Sequence, residues 1–396
     1  MPWKTIGPKE QRWKFVRAAW SCKSSLSELC RGWGISRKTA YKWLARFEAH
    51  GRLGLGNESR AAHQVANRTS VKWLQRMRRW RGRHPYWGAP KLHWALRRRF
   101  GYAGVPSEAT ISRWLKVWGL TKPRRRRAHK GPRIRRPDLT MARLPNEVWT
   151  VDFKGWFRTG DGTRIEPLTV RDMASRYVLA IELMPRQNVR DCRRVFERIF
   201  ARYGLPLVIR ADNGSPFGSG GALGLTRLSA WWVKLGIGME FITPGRPGEN
   251  AAHEQFHGVY QREAVSPPAR TARGQKQKSE GCRRRYNEER PHEALDMRVP
   301  AEVYYRSRRK RPRQLGHWRY PQEWQSRLVK GHGVISLAGR SRFVGEAFEG
   351  ERVGLKRTKP GIWEVYYGRQ LLGELEEAET GGIRAVWYKR GKKLKR

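Results

Sequence analysis

The stretch from Asn146 to about Tyr305 confines this chain to few folds, because its hydrophobic period changes along its length. Strand-like runs at 148–157, 164–171 and 176–183 are separated only by the turns Gly160-Asp161-Gly162 and Met173-Ala174-Ser175. An amphipathic helix is predicted from Asn188 to Tyr203, with Val189, Cys192, Val195, Phe196 and Ile199 on its buried face. A strand at 206–211, a helix around 224–236, a strand at 238–242 and a helix carrying Glu254 follow. Hairpin strands first, then strand–helix alternation, predict a mixed sheet flanked by helices.

Three carboxylates occupy informative places in that pattern. Asp152 lies inside the run Val148-Trp149-Thr150-Val151-Asp152-Phe153, and Asp212 closes Leu207-Val208-Ile209-Arg210-Ala211-Asp212 just ahead of the turn Asn213-Gly214. Glu254 follows Pro244-Gly245-Arg246-Pro247-Gly248-Glu249-Asn250, where the chain can turn helical after the prolines. Two strands and one helix can bring such a trio together, and three hard oxygen ligands suit a pair of Mg²⁺ ions. Two metals about 4 Å apart stabilise both the entering and the leaving oxygen of an in-line attack on a phosphodiester. Asp152 would bridge both ions, with Asp212 on one and Glu254 on the other. Lys154, Asn213 and His253 are plausible neighbours that contact DNA or orient the ligands. Glu249 competes with Glu254, lying 37 positions after Asp212 where Glu254 lies 42 after, and spacing alone leaves both open. Asp172, with Arg171 and Arg176 close by, reads as a turn-closing residue.

Charge indicates the partner. Lys+Arg 84 against Asp+Glu 34 leaves a net charge of +50, spread over almost all of the 396 residues. A polyanionic partner is the direct inference, with binding that weakens as salt rises. Beside the three acids and the helix-turn-helix pattern described next, the expected one is double-stranded DNA. No run of about 18 apolar residues and no secretory signal is present, so a membrane partner is not expected and a cytoplasmic location is. Nineteen Trp and a hydrophobic fraction of 38% argue for folded domains. The four cysteines (22, 30, 192 and 282) include no Cys-x-x-Cys pair, which speaks against a disulfide framework or zinc ribbon.

Residues 1–60 read as a helix-turn-helix domain. Ser25 or Ser27 caps a short helix that Gly32 and Gly34 end, and Ser36 caps a second from Lys38 to Ala49. Ala40, Trp43, Leu44 and Phe47 fall on one side of that second helix, and Arg37, Lys38, Tyr41, Lys42 and Arg46 on the DNA-facing side. A similar unit over 61–121 has a basic helix from Pro90 to Phe100 and a further one capped by Ser107. A basic linker spans 122–145 and carries Arg124, Arg125, Arg126 and Arg127, which would lie along phosphates. The mixed sheet occupies 146–305 and a second basic linker 306–326. Five short strands over 327–396 predict a small β-barrel with a basic tail.

Four stretches in order carry a resemblance: Trp149-Thr150-Val151-Asp152-Phe153-Lys154-Gly155-Trp156, Arg210-Ala211-Asp212-Asn213-Gly214-Ser215-Pro216-Phe217, Pro244-Gly245-Arg246-Pro247 through Glu254, and Tyr286-Asn287-Glu288-Glu289-Arg290-Pro291-His292-Glu293-Ala294-Leu295. With them the chain resembles the retroviral-integrase-type DDE transposases of bacterial insertion sequences. That resemblance implies an RNase H-like core in which Asp152, Asp212 and Glu254 hold two Mg²⁺ (or Mn²⁺) ions. It implies cleavage at element ends by water, then attack of the freed 3′-hydroxyl on target DNA. It also implies at least a dimer on paired ends, in the nucleoid of a bacterium. It selects Glu254 over Glu249, since the family's third acid comes seven positions after the second proline of its motif, here Pro247. The longer gap after Asp212 would be a loop insertion at Gly218-Ser219-Gly220-Gly221, tolerated at the surface. Three features depart from the family pattern: Ala251 in place of Gly, Gln255 in place of Arg, and a nearly all-polar stretch at 273–281. The alternative function is a DNA-binding regulator, or a drifted copy, that holds element ends without joining them.

Overall fold

The computed structural model describes residues 7–21, 24–58, 68–121, 139–243 and 247–385. They form two compact units, Met1–Ser70 and Val71–Arg396.

In the first unit, α1 (Pro8–Trp20), α2 (Leu26–Gly32) and α3 (Arg37–His50) enclose Phe15, Val16, Cys30, Ala40, Trp43 and Leu55. Ser25, not Ser27, starts α2 through a reciprocal capping box with Glu28, and Ser36 caps α3 by accepting from Thr39 N. The turn between α2 and α3 contains Gly34 at φ 62°, a conformation that suits glycine.

The second unit begins with three more helices, α4 (Val71–Arg83), α5 (Ala89–Phe100) and α6 (Glu108–Val117), packed around Met77, Trp87, Leu92, Leu96, Ile111 and Leu115. Ser107 caps α6 as expected, while α4 has no counterpart in the sequence reading. Lys91 Nζ ties these helices to the central domain, donating to Pro291 O at 3.0 Å and Glu293 Oε1 at 3.2 Å.

The central sheet is built from β1 (Val148–Phe153), β2 (Phe157–Arg158), β3 (Arg164–Asp172), β4 (Val178–Met184), β5 (Val208–Ala211) and β6 (Gly238–Phe241). β3 lies antiparallel to β1 and β4, whereas β1, β5 and β6 run parallel, so the mixed sheet expected from the sequence is present. The first predicted strand is shorter than expected. It breaks after Phe153, and Gly155 at φ 86° turns the chain before β2. α7 (Val189–Tyr203) and α8 (Arg227–Lys234) cover one face over Trp149, Val151, Phe196, Phe200 and Trp232. α9 (Ala251–Tyr260) and α10 (Ala272–Glu288) cover the other over Val178, Phe256, Tyr260, Cys282 and Tyr286.

Two of the departures from the family pattern lose their force here. Ala251 is the first residue of α9 and is not at positive φ, so its Cβ causes no strain. The polar stretch 273–281 lies within the first part of α10, and that part packs by hydrogen bonds, whereas Cys282 and Tyr286 further along make apolar contacts. Gln275, fully buried, donates to Ala264 O at 3.0 Å and accepts from Ala269 N at 2.8 Å, and Ser279 pairs with Tyr260 at 2.7 Å.

The basic linker after 305 is strapped down. Ser307 N donates to Tyr203 O at 2.8 Å, and Arg309 Nη2 donates to Gly236 O at 2.6 Å. The C-terminal region contains β7 (Gln325–Leu328), β8 (Val334–Leu337), β9 (Arg340–Phe343), β10 (Arg352–Lys359), β11 (Ile362–Tyr367), β12 (Gln370–Glu376) and β13 (Arg384–Ala385). These make an open sheet ordered β13-β12-β11-β10-β7 plus a separate β8–β9 hairpin, so the expected barrel is corrected to an open, β-rich domain. Closure fails because the edge strands β7 and β13 have no pairing with each other among the described residues. Ser219, Gly220 and Gly221 of the expected loop insertion are exposed, and the chain just after them is anchored. Ala222 and Leu225 are buried against this sheet together with Ala230 of α8. No helix among the described residues is long and apolar enough to cross a membrane.

Candidate active site

Strand parity and register place Asp152. Trp149 and Val151 point into the α7/α8 core, so Thr150 and Asp152 face α9. β1 and β5 pair as Val148↔Val208, Trp149↔Ile209 and Thr150↔Arg210. Carried two residues further, that offset sets Asp152 level with Asp212, just past the end of β5 and on the same face. Asp212 lies just beyond β5, and Gly214 makes room for it: a Cβ there would stand 3.2 Å from Asp212 Oδ2.

Glu254 comes from the first turn of α9. That helix is pinned to the sheet by histidines one turn apart. His253 Nδ1 lies 2.7 Å from Thr150 Oγ1, and its Nε2 lies 2.6 Å from Thr169 Oγ1. His257 Nε2 reaches the same Thr169 hydroxyl at 2.8 Å, and the Arg171 guanidinium donates to Ala252 O. Burial holds both imidazoles neutral, His253 well below the usual range and His257 at about 4, with Arg171 acting on both in the same direction.

Asp152 is therefore electrostatically crowded. Burial pushes its carboxyl up to about 7, with the Asp212 and Glu254 charges adding to the shift while the Phe153 amide and Lys154 oppose it. Asp212 is raised as well, by burial, and its Oδ1 is buried with no hydrogen-bond partner. The three acids are neighbours, not a closed cradle. Among the described residues no three His, Cys, Asp or Glu side chains form a group that could hold a metal ion.

The remaining sequence candidates divide. Lys154 lies within charge reach of both Asp152 and His257. Asn213 is exposed and turned toward β6, its amide donating to Ile242 O. Glu249 accepts from Thr243 N at 2.8 Å and Thr243 Oγ1 at 3.0 Å, bracing the loop before α9. Asp172 closes its turn by accepting from Ser175 N at 2.8 Å and Asn146 N at 2.7 Å. In the first unit, Arg37, Lys38, Tyr41 and Lys42 are exposed on α3, whereas Arg46 is engaged by Glu58 and the Trp43 ring. Arg124, Arg125, Arg126 and Arg127 lie outside the described residues. The sequence reading missed Thr150, Thr169 and His257. The four-residue spacing of His253 and His257, one face of one helix, was the available signal for the last.

Comparison with known proteins gives the same architecture in outline. Families described as "Integrase core domain" match residues 142–247 and 235–300, and "IS481 family transposase, C-terminal domain" matches 324–381. A "Helix-turn-helix domain" matches 11–63 and a "Homeodomain-like domain" 39–115. The Insertion element IS407 uncharacterized 31.7 kDa protein of Burkholderia multivorans is 31% identical over 216 residues, covering 52% of this chain and 76% of the relative. The Insertion element IS476 uncharacterized 39.2 kDa protein of Xanthomonas euvesicatoria is 30% identical over 52% of this chain and 60% of its own length. Among solved structures, the HTLV-2 integrase catalytic core domain in complex with magnesium matches at 14% identity and TM-score 0.33, over 41% of this chain and 98% of that one. A simian T-cell lymphotropic virus intasome in complex with PP2A regulatory subunit B56 gamma matches at 14% identity and TM-score 0.37, over 75% and 97%.

Proposed function

Because the chain belongs to the integrase-core transposases of bacterial insertion sequences, we propose that it cuts DNA at element ends and joins them to target DNA, with Asp152, Asp212 and Glu254 as its acids. In the first step water attacks phosphorus and a 3′-hydroxyl leaves. In the second that hydroxyl attacks a target phosphodiester and displaces another 3′-oxygen, with no covalent protein intermediate.

The observation that carries this reading is the crowding at Asp152, where two further carboxylates act on one half-buried acid in a chain of net charge +50. Structure alone has little use for such repulsion, and perturbed acids of this kind mark functional sites. The side chains suit a divalent cation. A positive ion would relieve the repulsion at Asp152 and give the orphaned Asp212 Oδ1 a partner. Held there, Mg²⁺ or Mn²⁺ supplies positive charge at the attacking and leaving oxygens. Lys154, within charge reach of Asp152, would take a phosphate beside it, and His253 keeps α9, and with it Glu254, against the sheet. Arg37, Lys38, Tyr41 and Lys42 are the DNA-facing side of the helix-turn-helix. Joining two ends requires at least a dimer on DNA, and the reaction belongs in the cytoplasm, at the nucleoid.

Asp152→Asn tests the reading. It should abolish cleavage of a duplex carrying an element end, by a factor of about 10³ or more on the scale of lost catalytic groups, while end binding by gel shift is kept. Normal cleavage by this variant would end the proposal. Binding without cleavage by the wild type would favour a regulator or drifted copy.

A further inference from the structure

The cluster beneath Asp152 fixes one imidazole in a state that the proposed chemistry leaves unused. Thr169 Oγ1 has three polar neighbours: the Asp152 main-chain O at 3.0 Å, His253 Nε2 at 2.6 Å and His257 Nε2 at 2.8 Å. A hydroxyl donates once and accepts twice. The carbonyl oxygen can only accept, so the hydroxyl hydrogen goes there and both Nε2 atoms must donate. His253 provides an independent check. Its Nδ1 is then an acceptor 2.7 Å from the Thr150 hydroxyl, whose one hydrogen goes to it in preference to Arg171 O, which is farther away at 3.4 Å. The same tautomer leaves His257 Nδ1 with a lone pair and no hydrogen.

That nitrogen stands 3.9 Å from Asp152 Oδ2. Two acceptors at this separation make no hydrogen bond. Metal–ligand bonds of about 2.1 Å each would let a single ion reach both atoms. We propose that His257 Nδ1 is a metal ligand beside Asp152, so that one ion position is a mixed nitrogen–oxygen site. The inference rests on reading Asp152 as a metal ligand and goes beyond the three acids. Its chemical consequence is selectivity. Mg²⁺ binds through oxygens and water, whereas first-row transition ions accept imidazole readily, so the site takes Mn²⁺ in preference to Mg²⁺.

The test uses the full chain without DNA. Mn²⁺ binding is followed by electron paramagnetic resonance, and pulsed spectra report ¹⁴N hyperfine coupling from a directly bound nitrogen. Wild type should show that coupling. His257→Asn should lose it and bind Mn²⁺ about tenfold or more weakly, on the scale of ligand-shell mutations, with Mg²⁺ affinity changed far less. Absence of nitrogen coupling in the wild-type Mn²⁺ complex overturns the proposal, even if the variant fails to fold. Asp152→Asn separates the two ideas. If it abolishes Mn²⁺ binding while wild type shows no nitrogen coupling, the acids stand and only His257 is wrong. If it leaves Mn²⁺ binding untouched, the acid trio fails and His257 falls with it.

Discussion

Asp152 shows what a single position can hold. Its carboxyl titrates near 7 in the folded protein against an ordinary value of 3.8, so between those two pH values the folded state binds the proton and the unfolded state does not. The metal-free fold therefore loses stability as pH rises through that window. Asp152→Asn removes the penalty, and should stabilise the metal-free protein by about 1–3 kcal/mol at pH 8 and by far less at pH 4. Urea midpoints at the two pH values check this, and a lower midpoint for the variant at pH 8 would contradict it. The acids were legible in the sequence because a carboxylate inside an apolar strand run has few structural uses. The pinning cluster was not. Thr150 and Thr169 meet His253 and His257 only through the pairing of β1 with β3 and the docking of α9, and neither register is written locally.

At the scale of elements, capping residues gave most of the legible boundaries: Ser25, Ser36, Ser107 and Asn188 each accept a main-chain N–H at the start of a helix. α10 shows where periodicity misleads, because the first half of its buried face is the polar pair Gln275 and Ser279, and apolar burial begins only at Cys282 and Tyr286. Gln275→Leu would strand Ala264 O in the interior, at about 1–3 kcal/mol, and leave the half-buried Ala269 N without its partner at a smaller cost. A drop in melting temperature for this variant, with none for exposed Lys276→Leu, is the expected result. The open C-terminal sheet was misread as a barrel because short strands and tight turns write the same local pattern whether or not the edges meet.

For the molecule as a whole, charge sets the strength of DNA binding and thereby its response to salt. Replacing Arg37 and Lys42 together by Ala should lower the slope of log K against log salt by about 1 for each phosphate that is no longer neutralised. Fluorescence anisotropy on an element-end duplex measures it, and an unchanged slope would remove α3 from the DNA surface. The burial of Ala222, Leu225 and Ala230 against Phe348, Val365 and Tyr367 has a practical consequence. Trimming the gene so that the product stops before β7 would lay bare a greasy face on the segment that follows Asp212 and on α8. Such a fragment should be sticky and clump on purification, so the smallest useful form of the protein keeps the residues from β7 onward, about the size of a small domain.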